Sequence, residues 1–140
     1  MIVLDTNVIS ELMRPQPEAV VAAWLNDQPE EELWTTSVVL AELHSGVDML
    51  PTGRRQRALR GAVESMIAED FRGRILDLDG NCARHYGKIL AHRQEMGRPM
   101  DQMDGLIAAT ALAHGATLAT RNTPDFEHCG VRLVNTWLAD

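Results

Sequence analysis

Four acidic residues stand where a predicted strand ends or a predicted helix begins. They are Asp5, Glu42, Asp104 and Asp125, and each is set in apolar sequence. Burying an ionised carboxylate is costly unless a cation or a hydrogen-bond donor neutralises it. A ligand set made only of hard oxygen atoms favours Mg²⁺ or Mn²⁺. Four such acids, brought to one edge of one fold, therefore predict a site for a divalent metal.

Each acid taken alone also has an interpretation in which it binds nothing. Aspartate after a strand, as at Asp5, is a common helix cap, and Glu42 fits the partly exposed edge of a helix. Asp104 fits the third position of a capping arrangement that begins at Asp101. Asp125 stands in Asn-Thr-Pro-Asp, an ordinary turn sequence. The shared placement of the four acids, and no single residue, carries the prediction of a metal site.

The elements that position these acids follow from the apolar pattern. Short apolar runs near residues 2–4, 33–36, 74–77, 116–119 and 131–134 alternate with stretches of helical periodicity. This alternation predicts an α/β fold with a central parallel sheet of about five short strands, flanked by helices. Sites in such sheets form outside the carboxyl ends of the strands. Ser37, Asp79 and Asp101 are the predicted caps of three of the helices.

The size and composition of the chain indicate one ordinary domain over residues 1–140. The chain has 140 residues, 45% hydrophobic and 24% charged, which suits a globular protein with a normal core. Its apolar stretches are too short to span a bilayer, and it opens directly as a strand without a basic region or a cleavage site. We therefore expect a cytoplasmic protein without a membrane partner. Cys82 and Cys129 lack metal-ligand spacing and are expected to be reduced core residues.

The net charge of −7 argues against a protein that grips nucleic acid through a general positive field. The positive residues are nonetheless clustered: Arg54, Arg55, Arg57 and Arg60 follow Gly53 closely. Arginine binds phosphate groups through a bidentate fork. The cluster is either an RNA-binding patch or a solvated helix face, and the sequence leaves both open.

An acidic cluster of this kind supports the hydrolysis of phosphodiester bonds. Carboxylates hold one or two divalent cations, which activate a water molecule and stabilise the charge of the transition state. The sequence has no G-x-S-x-G nucleophile elbow, no phosphate-binding glycine loop and no H-E-x-x-H pair. The motifs of the common alternative hydrolases are therefore missing.

Three segments of the chain resemble a known family. MIVLDTNVISELMRP, TTSVVLAELHSGV and MDGLIAATALAHGATLATRNTPDF look like the PIN-domain ribonuclease toxins of the VapBC type, and most like their FitB-like branch. The match covers nearly the whole chain, in order. The resemblance implies a three-layer PIN-like fold and the toxin component of a type II toxin–antitoxin system, acting as a Mg²⁺-dependent ribonuclease. It also implies that Asp5, Glu42 and Asp104 bind Mg²⁺ or Mn²⁺, and that the Thr6 hydroxyl supports Asp5.

The fourth acidic position differs among proteins of this kind. Some carry aspartate directly after the Thr-Arg dipeptide, where this chain has Asn122, and others use the T-R-N-x-x-D-F form found here. The resemblance thus implies Asp125 as the fourth catalytic acid, with Asn122 in a supporting role. A neutral amide adds no negative charge, so we expect the loop to fold Asp125 back toward Asp104. Pro124 helps to aim this loop, because it restricts Thr123 to extended conformations.

The resemblance also implies partners. Such toxins are typically homodimers, held in a higher assembly by a cognate basic antitoxin of the VapB or FitA kind. The C-terminal segment of the antitoxin enters the acidic groove, and operator DNA is bound only through the antitoxin. The substrate would be RNA. An acidic surface on this chain suits a basic antitoxin tail.

Two other interpretations remain open at the level of the sequence. The chain could be a catalytically weak PIN-type binding module, although it keeps all three core acids. It could also be a hydrolase similar to aspartyl-phosphate phosphatases, since Asp5 follows a strand. That reading requires a second acid where Asn7 stands, and a lysine near the phosphoryl group. Lys88, the only lysine, lies in the middle of a predicted helix.

Overall fold

The computed structural model describes residues 1–138. The strands are β1 (Ile2–Leu4), β2 (Leu33–Thr36), β3 (Ile75–Leu76), β4 (Thr117–Ala119) and β5 (Arg132–Val134). The helices are α1 (Thr6–Leu12), α2 (Ala19–Asn26), α3 (Ser37–Asp48), α4 (Arg54–Ser65), α5 (Gly80–Glu95) and α6 (Gln102–Ala113). A π-helical turn, Met66–Asp70, continues α4, and short 3₁₀ turns span Glu30–Glu32 and Thr123–Phe126. Within residues 1–138, no helix combines the length and the apolar character needed to cross a membrane.

The five strands form one sheet in the order β3-β2-β1-β4-β5, and every neighbouring pair is parallel. The chain first steps from β1 through β2 to β3, and then crosses to β4 on the other side of β1. Right-handed crossovers put α1 to α4 on one face of the sheet and α5 and α6 on the other. The predicted three-layer α/β fold is confirmed. The change of direction leaves a switch point between β1 and β4, where open α/β sheets bind their ligands.

The core fills the space between the sheet and its helices. Val3 and Leu4 of β1 and Leu118 of β4 are completely buried, as continuous apolar strand runs require when both faces of a sheet are covered. Both cysteines, Cys82 and Cys129, are free and buried in this core. Their burial agrees with the prediction of core residues, and their reduced state stays a prediction.

The helix starts were predicted correctly at two caps and wrongly at a third. Asp79 Oδ1 accepts from the Cys82 N–H at 3.0 Å, and Asp101 Oδ2 accepts from the N–H groups of the first turn of α6. Ser37 is not the cap of α3. The Thr36 hydroxyl accepts from the Val39 N–H at 3.0 Å, because Thr36 has the extended backbone that a cap needs.

Gly105, the residue after Asp104 in the first turn of α6, allows α5 and α6 to pack closely. A Cβ atom at this position would lie 2.8 Å from Leu90 Cδ1 and 3.0 Å from Tyr86 Cε1. Gly87 on α5 has open space around the corresponding position. The first turn of α6, which carries Asp104, is therefore set by the absence of a side chain at Gly105.

We predict that Gly105→Val destabilises the protein by about 1–3 kcal/mol, because it overpacks the contact between the two helices. Gly87→Ala is the matched control, and it should instead stabilise by about 0.5–1 kcal/mol through its lower backbone entropy. Urea unfolding of both variants measures these changes. A Gly105→Val variant as stable as the parent would show that Leu90 and Tyr86 yield without cost.

Candidate active site

A polar pocket of about 470 Å³ lies at the switch point of the sheet. Asp5 ends β1 here, and its N–H donates to the Ala119 carbonyl at the end of β4, at 2.9 Å. The lining residues are Asp5, Thr6, Asn7, Ser10, Glu11, Arg14, Glu42, Asp104, Arg121, Asn122 and Trp137. The structure thus brings the three predicted metal ligands, Asp5, Glu42 and Asp104, into one pocket.

Asp5 is the most deeply buried of these acids, at 4% exposure. Its Oδ1 accepts from the Thr6 N–H at 2.7 Å, and its Oδ2 accepts from the Thr120 hydroxyl at 2.8 Å. Burial raises the pKa of Asp5, and the nearby charges of Glu42 and Asp125 raise it further against the effect of both hydrogen bonds. Each oxygen is held in place by one donor, and carboxylate oxygens can accept more than one bond.

Thr6 supports two of the acids, Asp5 through its backbone N–H and Glu42 through its hydroxyl. Its hydroxyl donates to Glu42 Oε1 at 2.7 Å, so the prediction that this hydroxyl supports Asp5 is wrong. The Thr6 amide is one of the free N–H groups at the start of α1, and it already serves Asp5. The Thr120 hydroxyl, which the sequence analysis missed, supports the other oxygen of Asp5.

Asp104 is half-buried in the first turn of α6. Burial is the main cause that raises its pKa to about 7, followed by the charges of Asp5, Asp101 and Glu42. The negative charges of these neighbours thus disfavour the ionised form of Asp104. A cation bound beside Asp104 would offset this repulsion.

The donor set of the pocket fits Mg²⁺ or Mn²⁺. The acids offer hard oxygen atoms, and neither histidine nor cysteine is among the lining residues. Among residues 1–138, no three acidic, histidine or cysteine side chains already stand at the spacing of a formed metal site. Asp5, Glu42 and Asp104 therefore share a pocket without forming a closed coordination shell.

The loop after β4 places Asn122 and Asp125 differently. Asn122 lines the pocket, and its N–H donates to the Thr120 hydroxyl at 3.1 Å. Asp125 lies in the 3₁₀ turn Thr123–Phe126 and is exposed, outside the lining of the pocket as the described residues form it. Its charge still raises the pKa of Asp5 and of Asp104. Its role as a fourth catalytic acid stays a prediction.

Arg93 fixes the direction of this loop. The arginine is 5% exposed, and its Nη1 donates to the carbonyls of Asp125 and Glu127 at 3.0 and 2.8 Å. Its Nε donates to the Arg98 carbonyl at 2.7 Å. The backbone around Asp125 is therefore fixed by hydrogen bonds from the buried Arg93 guanidinium. No local sequence pattern predicts this contact.

The predicted RNA-binding arginines lie on α4, outside the acidic pocket. None of Arg54, Arg55, Arg57 and Arg60 is among the residues that line the acidic pocket. Arg60 pairs with Asp48 at 2.8 Å. Arg55 lines a neighbouring apolar groove of about 750 Å³, formed mainly by α3 and α4. Their contact with RNA stays a prediction.

An ion pair between a buried glutamate and an exposed arginine, near the end of α1, also escaped the sequence analysis. Glu11 is 5% exposed, and both of its carboxylate oxygens accept from Arg14 Nη1 at 3.1 Å. The Glu18 N–H, which donates to Glu11 Oε2 at 3.0 Å, is the main cause that lowers the pKa of Glu11. Glu11 is thus already neutralised, unlike the other acids of the pocket. The available signal was the spacing of three residues from Glu11, near the end of α1, to Arg14, just beyond that end.

A five-stranded parallel sheet that gathers three carboxylates at its switch point defines a class of α/β protein suited to binding a divalent cation. The sequence model of the PIN domain family matches residues 2–130, and the chain belongs to that family. The resemblance predicted from the sequence is confirmed.

Several known proteins are similar to this chain over nearly its full length. It is 41% identical to Toxin FitB of Neisseria gonorrhoeae, over 98% of this chain and 99% of that protein. It is 39% identical to the VapC ribonuclease Y4jK of Sinorhizobium fredii, over 98% of each. The solved structure of FitAB bound to an IR36 DNA fragment matches with a TM-score of 0.91 at 39% identity, over 100% of this chain and 98% of the other.

The raised pKa of Asp104 predicts a pH-dependent stability in metal-free buffer. In the folded state this carboxyl has a pKa of about 7, against an ordinary value of 3.8. At this carboxyl the folded protein therefore binds more protons than the unfolded chain, so its contribution to the free energy of unfolding falls as the pH rises between these two values. Asp104→Asn removes this carboxyl. The free energy of unfolding of the variant, relative to that of the parent, should therefore increase as the pH rises.

Urea unfolding in EDTA, at about pH 4.5 and about pH 8, tests this prediction. Asp77→Asn, at an exposed position, is the matched control. The advantage of Asp104→Asn over the parent should be larger at the higher pH, and the control should show no such change. An advantage that is independent of pH would contradict the assigned repulsion.

The position of Asp125 predicts an influence on metal binding that acts through space. Asp125→Asn should weaken Mn²⁺ binding by less than about tenfold, and high salt should remove most of the difference because it screens exposed charges. Asp104→Asn should weaken binding more, and at every salt concentration. Mn²⁺ titrations at about 0.05 M and about 0.5 M salt make the comparison. A salt-independent loss in Asp125→Asn would instead identify Asp125 as a direct ligand.

Proposed function

We propose that this chain is the toxin of a type II toxin–antitoxin system, and that it is a divalent-metal-dependent endoribonuclease which hydrolyses RNA phosphodiester bonds. The main support for this function is that Asp5, Glu42 and Asp104 line one pocket of a PIN domain. The similar proteins that are named a toxin and a ribonuclease support the same conclusion. We further propose that the single PIN domain extends over residues 1–140.

The residues of the pocket suit this chemistry. Mg²⁺ or Mn²⁺, when bound, activates water and stabilises the developing charge on the phosphoryl group. Asp5, Glu42 and Asp104 would hold the ion through anionic oxygen atoms. The Thr6 and Thr120 donors fix the orientation of Asp5 without using up its lone pairs. Asp104, with a pKa of about 7, carries a proton in part of the metal-free molecules at neutral pH and would release it when a cation binds.

The two alternatives fare differently. The phosphatase-like reading is disfavoured, because Lys88 lines a separate pocket with His85 and His92. Asn7 Oδ1 accepts from the Arg121 N–H at 3.2 Å and so serves the backbone of the site. The alternative of a catalytically weak binding module has the same geometry as the enzyme, and only the activity measurement below separates the two.

The proposed partners follow from the charge and the shape of this face. The apolar groove shares four lining residues with the acidic pocket, namely Thr6, Ser10, Arg14 and Glu42. A basic antitoxin similar to VapB or FitA could lay an apolar helix in the groove and extend a basic segment toward the acids. We propose a homodimer that joins its antitoxin in a larger assembly, and contact with operator DNA only through the antitoxin. We propose the cytoplasm, where the RNA substrate is, as the site of action.

We predict that the purified chain cleaves a mixed RNA pool with Mg²⁺ or Mn²⁺, and that EDTA abolishes cleavage. Asp104→Asn should lower the cleavage rate by at least about 100-fold, because it removes an anionic ligand from the site. Asp27→Asn, an exposed residue at the end of α2, is the matched control and should cleave like the parent. Gel analysis of timed reactions measures the rates, and circular dichroism verifies the folding of each variant.

Two results would contradict the proposal in different ways. A folded Asp104→Asn variant that cleaves as fast as the parent would show that the acids are misassigned. A metal-loaded parent that binds RNA without cleaving it would favour the binding module.

A further inference from the structure

An enzyme that acts on RNA through this pocket must bring a negatively charged substrate to a negatively charged surface. The pocket presents Asp5, Glu42 and Asp104, and the whole chain carries a net charge of −7. A polyanionic strand is repelled by such a surface unless cations at the site offset the repulsion. The arginines at the start of α4 do not line the pocket. The positively charged side chains beside the acids must therefore belong to other parts of the chain.

Arg121 is one such cation, and it is held in place by its surroundings. Its N–H donates to Asn7 Oδ1 at 3.2 Å, and its carbonyl accepts from Asn135 Nδ2 at 3.2 Å. Its guanidinium carbon lies 5.1 Å from the centre of the Trp137 ring, which is the geometry of a cation–π contact. No ion pair formed within residues 1–138 includes Arg121. Its donors remain free for a ligand in the pocket.

Arg14 is the second cation of the pocket. Nη1 alone binds the Glu11 carboxylate, and 58% of the Arg14 side chain is exposed. The other guanidinium nitrogens are therefore free to donate. Arg14 lines both the acidic pocket and the apolar groove, so it stands where the two meet. The charges of Arg14 and Arg121 both lower the pKa of Glu11, which places both cations near the same carboxylate.

We propose that Arg121 and Arg14 bind backbone phosphates of a single-stranded RNA next to the phosphate that is cleaved. Trp137 is a positioning residue that keeps the Arg121 guanidinium oriented. Guanidinium groups match phosphate oxygens through paired donors. They offset the charge of the acids without touching the metal ligands. The inference rests on the proposed ribonuclease function, since it names how the substrate of that site is held.

The test measures the binding of a fluorescein-labelled single-stranded RNA of about 12 nucleotides by anisotropy, with Ca²⁺ in place of Mg²⁺ to suppress cleavage. Arg121→Gln should weaken binding about tenfold at low salt. It should also reduce the slope of log K against log salt by about 0.7, the contribution of one phosphate contact in a single strand. Arg132→Gln is the matched control, because this exposed arginine lies at the amino end of β5, across the sheet from the pocket.

Arg14 is tested by the double variant Glu11→Gln/Arg14→Gln. Removing both charged partners keeps the net charge and avoids leaving a buried carboxylate unpaired, and the oxygen of the introduced amide can still accept from the Glu18 N–H. The expected slope reduction is again about 0.7. Trp137 is tested by a double-mutant cycle with Arg121. Trp137→Leu should weaken binding, Trp137→Phe should restore most of it, and Trp137→Leu should add little to Arg121→Gln.

The inference is overturned if Arg121→Gln, folded by circular dichroism, binds the RNA with the affinity and salt slope of the parent. It is also overturned if that variant loses only the binding of a protein partner, since the arginine would then serve the antitoxin. Failure of the proposed function has a different signature. The parent would then bind RNA in an Arg121-dependent manner but cleave none of it when Mg²⁺ is added.

Discussion

The burial of the Asp5 carboxylate is the constraint on which the arrangement of the site depends. A carboxylate at 4% exposure needs donors within its own fold, because water cannot supply them. One donor is the Thr6 N–H, and the other is the Thr120 hydroxyl, 115 residues further along the chain. The Thr6 N–H belongs to the next residue, but the Thr120 hydroxyl is in reach only because the last residues of β1 and β4, Leu4 and Ala119, are paired in register. The parallel pairing of two distant strands thus creates the environment of one acid.

The acidic pocket lowers the stability of the fold, because it places several carboxylates close together. Burial and the neighbouring negative charges raise the pKa of Asp5 and of Asp104, and no packing argument would place these two acids beside Glu42. Glu11 shows the contrasting arrangement, with an arginine and a backbone N–H already bound to it. One pocket therefore contains a carboxylate that is paired with an arginine, and three carboxylates that form no ion pair within residues 1–138. Natural folds depart from local consistency in this way at functional sites.

Features that depend on residues close together in the sequence could be predicted from it. The apolar runs located the strands, and the caps at Asp79 and Asp101 located two helix starts, since both signals are local. The acids were found because charged residues in apolar segments stand out. The Thr6 hydroxyl was given the wrong acid, since its choice between Asp5 and Glu42 depends on how α3 packs against α1.

Contacts between distant segments left no such signal. Thr120, the Arg121 contact with Trp137 and the buried Arg93 come together only when the sheet is assembled. The position of Asp125 depends on the same assembly, because carbonyl contacts to Arg93 fix its loop. The family resemblance identified the acids and Thr6, but it did not identify Thr120 or Arg93.

The contacts of Glu11 have a consequence for how this chain can vary in length. Surface connections usually tolerate inserted residues. The segment between α1 and α2 differs, because Arg14 and the Glu18 N–H both return to the same carboxylate, three and seven residues behind them. One added residue after Arg14 would shift Glu18 out of register with that carboxylate and leave a buried anion with fewer donors. This short turn, with Pro15 and Pro17 inside it, is therefore fixed in length as a core element would be.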